Sequence, residues 1–181
     1  LKLRGNLYFR TDLSSPWGIY VAAESNIARF HVVISGQCWL KIGEDAEAFL
    51  LSEGDLAIVP HGNSHYLTDA PQTPSRPLED VLKEQKFTGE GTLLYGGGGS
   101  TTGLVCGFFS FDDDVVHPLI KTLPRKIHVK GSETLNFIWL DAVMKFIGSE
   151  ATANDLGSRA ITERLSEILF IQVIRAYSIV A

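Results

Sequence analysis

Sulfur and positive charge are both scarce in this chain. Its 181 residues include two cysteines, Cys38 and Cys106, and one methionine. Two cysteines set inside apolar strand-like runs do not make a secreted disulfide scaffold, and they fit a reducing compartment. Lys and Arg total 16 against 21 Asp and Glu, a net charge of −5. A stretch of that sign has no electrostatic means of gripping a phosphate backbone, so any DNA-binding surface belongs outside it. Long apolar runs are missing too. The most apolar tail, Ile168 to Ala181, is broken by Gln172 and Arg175 and falls short of the roughly 20 residues that a bilayer span needs. No basic and apolar leader precedes the first polar residues. The expectation is a soluble, cytoplasmic protein without membrane contact. At 45% hydrophobic and 20% charged residues, the chain can bury a core without disulfides or a structural metal.

What is present is a series of short β-rich runs. Leu7–Phe9, Trp17–Val21, Ala28–Ile34, Gln37–Ile42, Ala48–Leu51 and Leu56–Val59 are separated by turn signals such as Ser35-Gly36, Gly43-Glu44-Asp45 and Pro60-His61-Gly62-Asn63. Short strands at regular spacing predict a sandwich or barrel. Residues 69–91 carry Pro71, Pro74 and Pro77 and several charges. They read as a mobile surface excursion with a brief helix over Leu78–Glu84. Strand-like sequence resumes at Leu93–Tyr95 and Leu104–Phe111. The glycines at 96–99 between them predict a tight turn over the barrel mouth.

After Asp114 the apolar period lengthens to that of a helix. Leu135, Ile138, Ala142 and Phe146 share one face, with Ser132 as N-cap and Gly148 near the end. A second helix after Asn154-Asp155 has Ile161, Leu165, Ile168, Leu169 and Val173 as its main stripe. Phe170, Ile171 and Ile174 widen that stripe until most sides are apolar. One face suits the barrel or the preceding helix, and the other needs a partner. The predicted division is a β-barrel over residues 1–114 and a helical dimerisation region over 115–181, packed on the barrel. The expected assembly is a homodimer through the last helix.

The strongest motif runs from Gly54 to His65, Gly-x5-Pro-x-Gly-x2-His. Gly54 turns the chain into a β-run, Pro60 stops ladder pairing, and Gly62 permits a reversal that returns the chain at His65. This string resembles the second motif of the cupin superfamily. The resemblance implies a double-stranded β-helix (jelly-roll) barrel with His65 pointing inward. The first cupin motif supplies two histidines and a glutamate before a glycine. Here the matching stretch, Ala28 to Gly36, keeps only His31, with Arg29 near the glutamate position. The three-histidine-plus-carboxylate centre of cupin enzymes cannot be assembled from it.

Trp17-Gly18, Phe30-His31-Val32-Val33, the motif at 54–65, the glycines at 96–99, Val105-Cys106-Gly107-Phe108-Phe109 and His117-Pro118-Leu119 together resemble the N-terminal cupin domain of AraC-type transcription regulators. The resemblance implies a barrel that senses an effector, helices that dimerise, and a separate helix-turn-helix domain that would carry the DNA contact.

If His31 and His65 both face inward they meet in an apolar interior, and each needs a partner there. With Cys106 they make a nitrogen, nitrogen, sulfur set for a divalent metal such as zinc or nickel. The alternatives are a small-molecule pocket of His31, His65 and Trp39 without metal, or histidines that only satisfy each other while Cys106 fills space. Trp17 is a further pocket candidate. Thiol sensing by Cys106 is a separate reading and needs an accessible thiolate. His61, His117 and His128 carry no assigned chemistry. The functional expectation is an effector-sensing and dimerisation domain with no catalytic residues. The competing readings are a metal-dependent cupin enzyme and a purely structural dimerisation module.

Overall fold

A computed structural model describes residues 3–45, 47–89, 91–111, 118–131, 138–153 and 155–180. Eleven strands and four helices occupy them: β1 (Leu3–Ser14), β2 (Gly18–Val21), β3 (Ile27–Ser35), β4 (Gln37–Ile42), β5 (Phe49–Ser52), β6 (Leu56–Val59), β7 (His65–Thr68), β8 (Arg76–Pro77), α1 (Leu78–Glu84), β9 (Thr92–Gly96), β10 (Thr101–Phe111), α2 (Pro118–Lys121), β11 (Ile127–Val129), α3 (Ile138–Ala153) and α4 (Ser158–Val180). The strands form a six-stranded sheet, β11-β6-β3-β10-β1-β9, and a five-stranded sheet, β5-β4-β7-β2-β8. The predicted cupin-type β-barrel with C-terminal helices is the fold observed.

The alternation of side chains along each strand builds two cores. Val33 on β3, Ala57 and Val59 on β6, and Leu104 and Cys106 on β10 turn inward. There they meet Ile19, Val21, Cys38, Leu40, Ile42 and Leu67 of the other sheet. Their neighbours Phe30, Val32, Leu56, Ile58, Val105 and Phe109 turn outward and meet Leu169, Phe170, Val173 and Ile174 of α4. Phe109 and Phe170 stack at 4.4 Å between ring centroids. Because both faces of β3 and β6 are covered, these strands read as unbroken apolar runs rather than alternating ones.

Burying the four α4 side chains contributes on the order of 6–12 kcal/mol before entropy. That is comparable to the net stability of a whole domain, so α4 is integral to the fold. The apolar residues of α4 divide between two faces. Leu169, Phe170, Val173 and Ile174 are buried, whereas Ile161, Ile168 and Ile171 are 40%, 47% and 41% exposed. The stripe predicted to run through Ile161 and Ile168 is therefore two stripes, because a helix apolar all round has one side on the sheet and the other off it. On α3, Phe146 is 48% exposed. The helix also runs past Gly148 to Ala153. Ser132, Leu135 and His117 lie outside the described residues.

Two strands go beyond the predicted set. β11 adds to the edge of the first sheet through β6, with Ile127 opposite Ile58 and Val129 opposite Leu56. β8 runs parallel to β2, with Arg76 opposite Ile19. The excursion expected between residues 69 and 91 is docked on the barrel: Val81 of α1 is fully buried against Leu93, and Leu78 reaches the inner core. Gly96, Gly97 and Gly99 follow from close approach, and Gly98 from a φ of +91°. A Cβ on Gly96 would lie 1.9 Å from the Ser14 carbonyl oxygen, and one on Gly97 would lie 2.3 Å from Pro16 Cδ.

Candidate functional site

The site begins with cross-strand register. His31 sits opposite Cys106 of β10 and opposite Ala57 of β6. Directly paired residues share a face, so the imidazole and the thiol point inward together. His65 arrives from the other sheet. The reversal that delivers it depends on Gly62, whose φ is +67° and whose Cβ, if present, would lie 1.9 Å from the Glu24 carbonyl oxygen. His65 opens β7 fully buried and bridges the two sheets through His31.

The three side chains form a line. Asn63 O lies 3.1 Å from His65 Nδ1, His65 Nε2 lies 2.9 Å from His31 Nε2, and His31 Nδ1 lies 3.0 Å from Cys106 Sγ. A carbonyl oxygen only accepts, so His65 Nδ1–H donates to Asn63. Neutral His65 then has a bare Nε2 that accepts from His31 Nε2–H. That leaves His31 Nδ1 bare to accept the Cys106 S–H. The direction of the whole chain follows from its last acceptor.

Neutrality itself follows from burial. Desolvation, then the neighbouring His65 and the Arg29 charge, hold His31 well below the usual imidazole range. Desolvation brings His65 down to about 4, against a smaller opposing effect of its bond to Asn63. Desolvation pushes the Cys106 thiol far up, with Cys38 adding to the shift and Arg29 opposing it. Cys38 is raised to about 12 by burial and by Asp55. Both thiols stay protonated at neutral pH, and neither forms the accessible thiolate that thiol sensing requires.

The geometry also bears on a metal. Cys106 occupies one nitrogen of His31 and His65 faces the other, so the predicted three donors do not converge on one point. Among the described residues, no group of three or more His, Cys, Asp or Glu side chains is placed to hold a metal ion. The two Nε2 atoms alone face each other at a spacing that two ligands of one ion could adopt.

Beside His31 lies a cavity of about 30 Å³. That is room for one or two waters and far below the size of a ligand pocket in its open form. Its walls are mainly apolar, with Leu13, Ile19, Val21, Leu67, Leu78 and Leu104. Thr11, Arg29, His31 and Cys106 supply the polar atoms. Thr11 donates to Leu93 O, and Arg29 pairs with Glu24 at 2.9 Å.

Trp39, predicted as a pocket residue, is not among those walls. It alternates with buried Cys38 and Leu40 on β4 and so presents the opposite face. Trp17 is buried in the inner core without lining the cavity. Arg29 shares the His31 face because it lies two residues earlier on the same strand, a signal present in the sequence. Thr11 and Leu78 gave no such signal, since their positions depend on a long first strand and on how the excursion docks.

A second polar cluster lies at the barrel edge. Asp55 accepts from Ser52 N at 3.0 Å, Gly131 N at 2.7 Å and His128 Nε2 at 2.9 Å. Despite desolvation its carboxyl sits below the usual range, because these donors stabilise the anion. The bonds tie β11 and the chain leading away from it to the turn before β6. His61, in the motif turn, donates to Leu123 O at 2.8 Å.

A cupin family model matches residues 1–178. The chain belongs to the cupin family. Two curated relatives of this cupin are transcription regulators. One is an uncharacterised HTH-type transcriptional regulator of Haemophilus influenzae, 24% identical over 179 residues, covering 96% of this chain and 55% of that protein. The other is a putative AraC-like transcription regulator of Streptomyces antibioticus, 26% identical over 178 residues, covering 98% of this chain and 56% of that protein. This cupin thus spans about half the length of the curated relatives it matches. Among solved structures, apo ToxT from Vibrio cholerae aligns with 98% of the chain and 58% of its own, at 8% identity and a TM-score of 0.46. Hazelnut vicilin aligns with 71% of the chain and 25% of its own, at 10% identity and a TM-score of 0.29. Among the described residues no helix is long and apolar enough to cross a membrane.

Proposed function

We propose that this cupin is the effector-sensing and dimerisation part of an AraC-type regulator, with no catalysis of its own. The observation that carries the reading is the line Cys106–His31–His65, a neutral polar thread beside a small, mainly apolar cavity, on a chain whose relatives are transcription regulators. A ligand entering the cavity meets that thread first. His31 is its middle member and lies on the strand whose outer side chains pack in the cluster that includes α4. Ligand contact at His31 would therefore bias the helices.

The helical region supplies the dimer surface in this reading. Ile161, Ile168 and Ile171 lie on the face of α4 turned away from the sheet, and a second copy would cover them. DNA contact, as in regulators of this type, falls to a separate domain.

The test is a fusion of this chain to a monomeric DNA-binding domain that occupies a palindromic operator only as a dimer. The fusion should occupy the operator, and Ile168→Glu should abolish occupancy. His31→Ala should leave occupancy intact while removing any dependence on a cavity ligand. A fusion that never occupies the operator sinks the dimerisation reading.

A second reading has its own observation. Two Nε2 atoms 2.9 Å apart, each ring having its other nitrogen engaged, suit a divalent cation such as zinc or nickel. Cys106 would then accept from His31 Nδ1–H as an outer partner instead of binding the ion.

A further inference from the structure

We propose that the outer face of the second sheet, around Trp39, Tyr66 and Tyr20, is a docking surface for an extended proline-rich segment of another protein, one that carries a carboxylate next to its prolines. The surface involves neither the cavity nor α4, and it stands apart from the sensing reading.

The face is assembled by register. Trp39 of β4 lies opposite Leu50 of β5 and Thr68 of β7. In the next row, Tyr66 of β7 lies opposite Lys41 of β4 and Tyr20 of β2, and Tyr20 lies opposite Pro77 of β8. Directly paired residues share a face. These residues alternate with inner-core neighbours such as Leu40, Leu67 and Ile19, so both rows point away from the core. Tyr20, Trp39, Lys41, Leu50 and Tyr66 are half-buried, and none of the three apolar clusters of described residues includes them. The first sheet covers its outer face with α4, whereas this aromatic ladder stays at the surface.

The size of the ladder selects the occupant. Two rows across four strands make a patch on the order of 15 Å by 10 Å. That is a fraction of the roughly 800 Å² that each partner contributes to an ordinary interface between folded proteins. A short extended segment fits it. Trp39 and Tyr20 stand two strands apart and one row out of step, on the order of 10–12 Å, with Tyr66 between them. Three to four residues of polyproline II cover that span at about 3.1 Å each. The prolines of a P-x-x-P segment would then sit near its two ends. Polyproline II leaves its carbonyls without internal hydrogen bonds, and the phenol hydroxyls and the indole N–H are donors attached to apolar rings.

The chain already places one such residue beside the ladder. Pro77, opposite Tyr20, has φ −53° and ψ 135°, close to polyproline II. The chain's own excursion also bounds the patch at its β2 end, since a Cβ on Gly18 would lie 2.4 Å from the Pro74 carbonyl oxygen. Charge sets the other end. Lys41 is the one charged side chain in the two rows, and its Nζ lies 5.6 Å from the Tyr66 ring centroid. Tyr66 in turn meets Tyr20 at 4.9 Å between centroids. A carboxylate at one end of the segment complements Lys41 while its prolines lie on the rings.

The experiment titrates the 15N-labelled chain with the capped peptide Glu-Glu-Pro-Pro-Ala-Pro-Pro. The amides of Tyr20, Trp39, Lys41 and Tyr66 and the Trp39 indole N–H should shift together, while the amides of His31 and Ile168 stay still. The same peptide with alanine for every proline should bind at least about tenfold more weakly, because it must be ordered on binding. Lysine for both glutamates should weaken binding about threefold at low salt. Trp39→Ala should weaken it roughly thirtyfold, the loss of an aromatic anchor, and Tyr66→Phe, which keeps the ring, only about threefold. Shifts confined to other surfaces overturn the proposal, as do equal binding of the alanine peptide and no binding at all. So does unchanged affinity in a Trp39→Ala chain that keeps a dispersed spectrum. Tighter binding of oligothymidine at the same amides would make the occupant a nucleic acid, and self-association through them would make it a second copy. Either result also overturns the proposal.

Discussion

Acid should weaken this fold in a window where most proteins are still comfortable. His65 is carried from the ordinary imidazole value down to about 4 by burial, and His31 moves the same way. In the unfolded chain both rings regain a value near 6.5. Between those limits the unfolded state binds more protons than the folded one, so stability rises with pH there and falls as the solution is acidified. Above about pH 6.5 neither state is protonated at these rings and the contribution is flat. Each ring gives a slope approaching 1.4 kcal/mol per pH unit. For His65 alone the full shift corresponds to roughly 3 kcal/mol lost by pH 4, out of a typical 5–15 kcal/mol. Asp55 works in a different window. Its folded value is lowered, so its contribution is present above about pH 4 and is lost only below it. Urea unfolding at pH 7.5, 6.5, 5.5 and 4.5 should therefore show a flat region and then a steepening loss. His65→Leu should flatten that loss while removing one partner from His31. Equal unfolding free energies at pH 7 and pH 5 would refute the buried neutral pair, as would a His65 ring charged at pH 6 by NMR.

Nitrogen-15 spectra of the imidazoles should show opposite tautomers at neutral pH, protonated at Nδ1 in His65 and at Nε2 in His31. The same tautomer in both rings would favour an ion between them, and metal analysis after zinc or nickel loading decides the matter. Asp55→Ala should cost about 2–4 kcal/mol, since it orphans donors that each make a charge-assisted bond. Exchange of the Ile127–Val129 amides should rise most, and unchanged exchange there would dismiss the carboxylate as a clamp. Ile168→Glu should shift sedimentation from dimer to monomer without lowering the melting temperature, because the residue is half-exposed in the single chain. Ellman's reagent should react with Cys38 and Cys106 only as fast as the fold opens, and prompt reaction at pH 7.5 would contradict their burial.

The barrel was legible because turn residues mark strand ends locally. Gly54, Pro60 and Gly62 locate the reversal, and the short motif brings His65 inside. His31 and Cys106 were legible as candidates, but their contact depends on a β3–β10 register that joins residues far apart in the chain. The three candidate metal donors stand in a line for a reason no spacing could reveal: His31 lies between the other two and faces one with each nitrogen. Trp39 could have been placed outside from its alternation with Cys38 and Leu40. The docking of residues 69–89 was not legible, since prolines and charges mark a loop without saying what it leans on. The division of α4 into two apolar faces was readable as an excess of isoleucine and leucine, though not which residues meet the sheet.

β3 is a party wall. His31 stands on its cavity side, and Phe30 and Val32 on either side of it face the cluster that receives Phe170 and Val173. A strand that bends to accommodate a guest cannot do so privately. A substitution on the cavity side of the wall therefore acts at the same time on how the helices sit, and drift on one side will be answered by compensating change on the other.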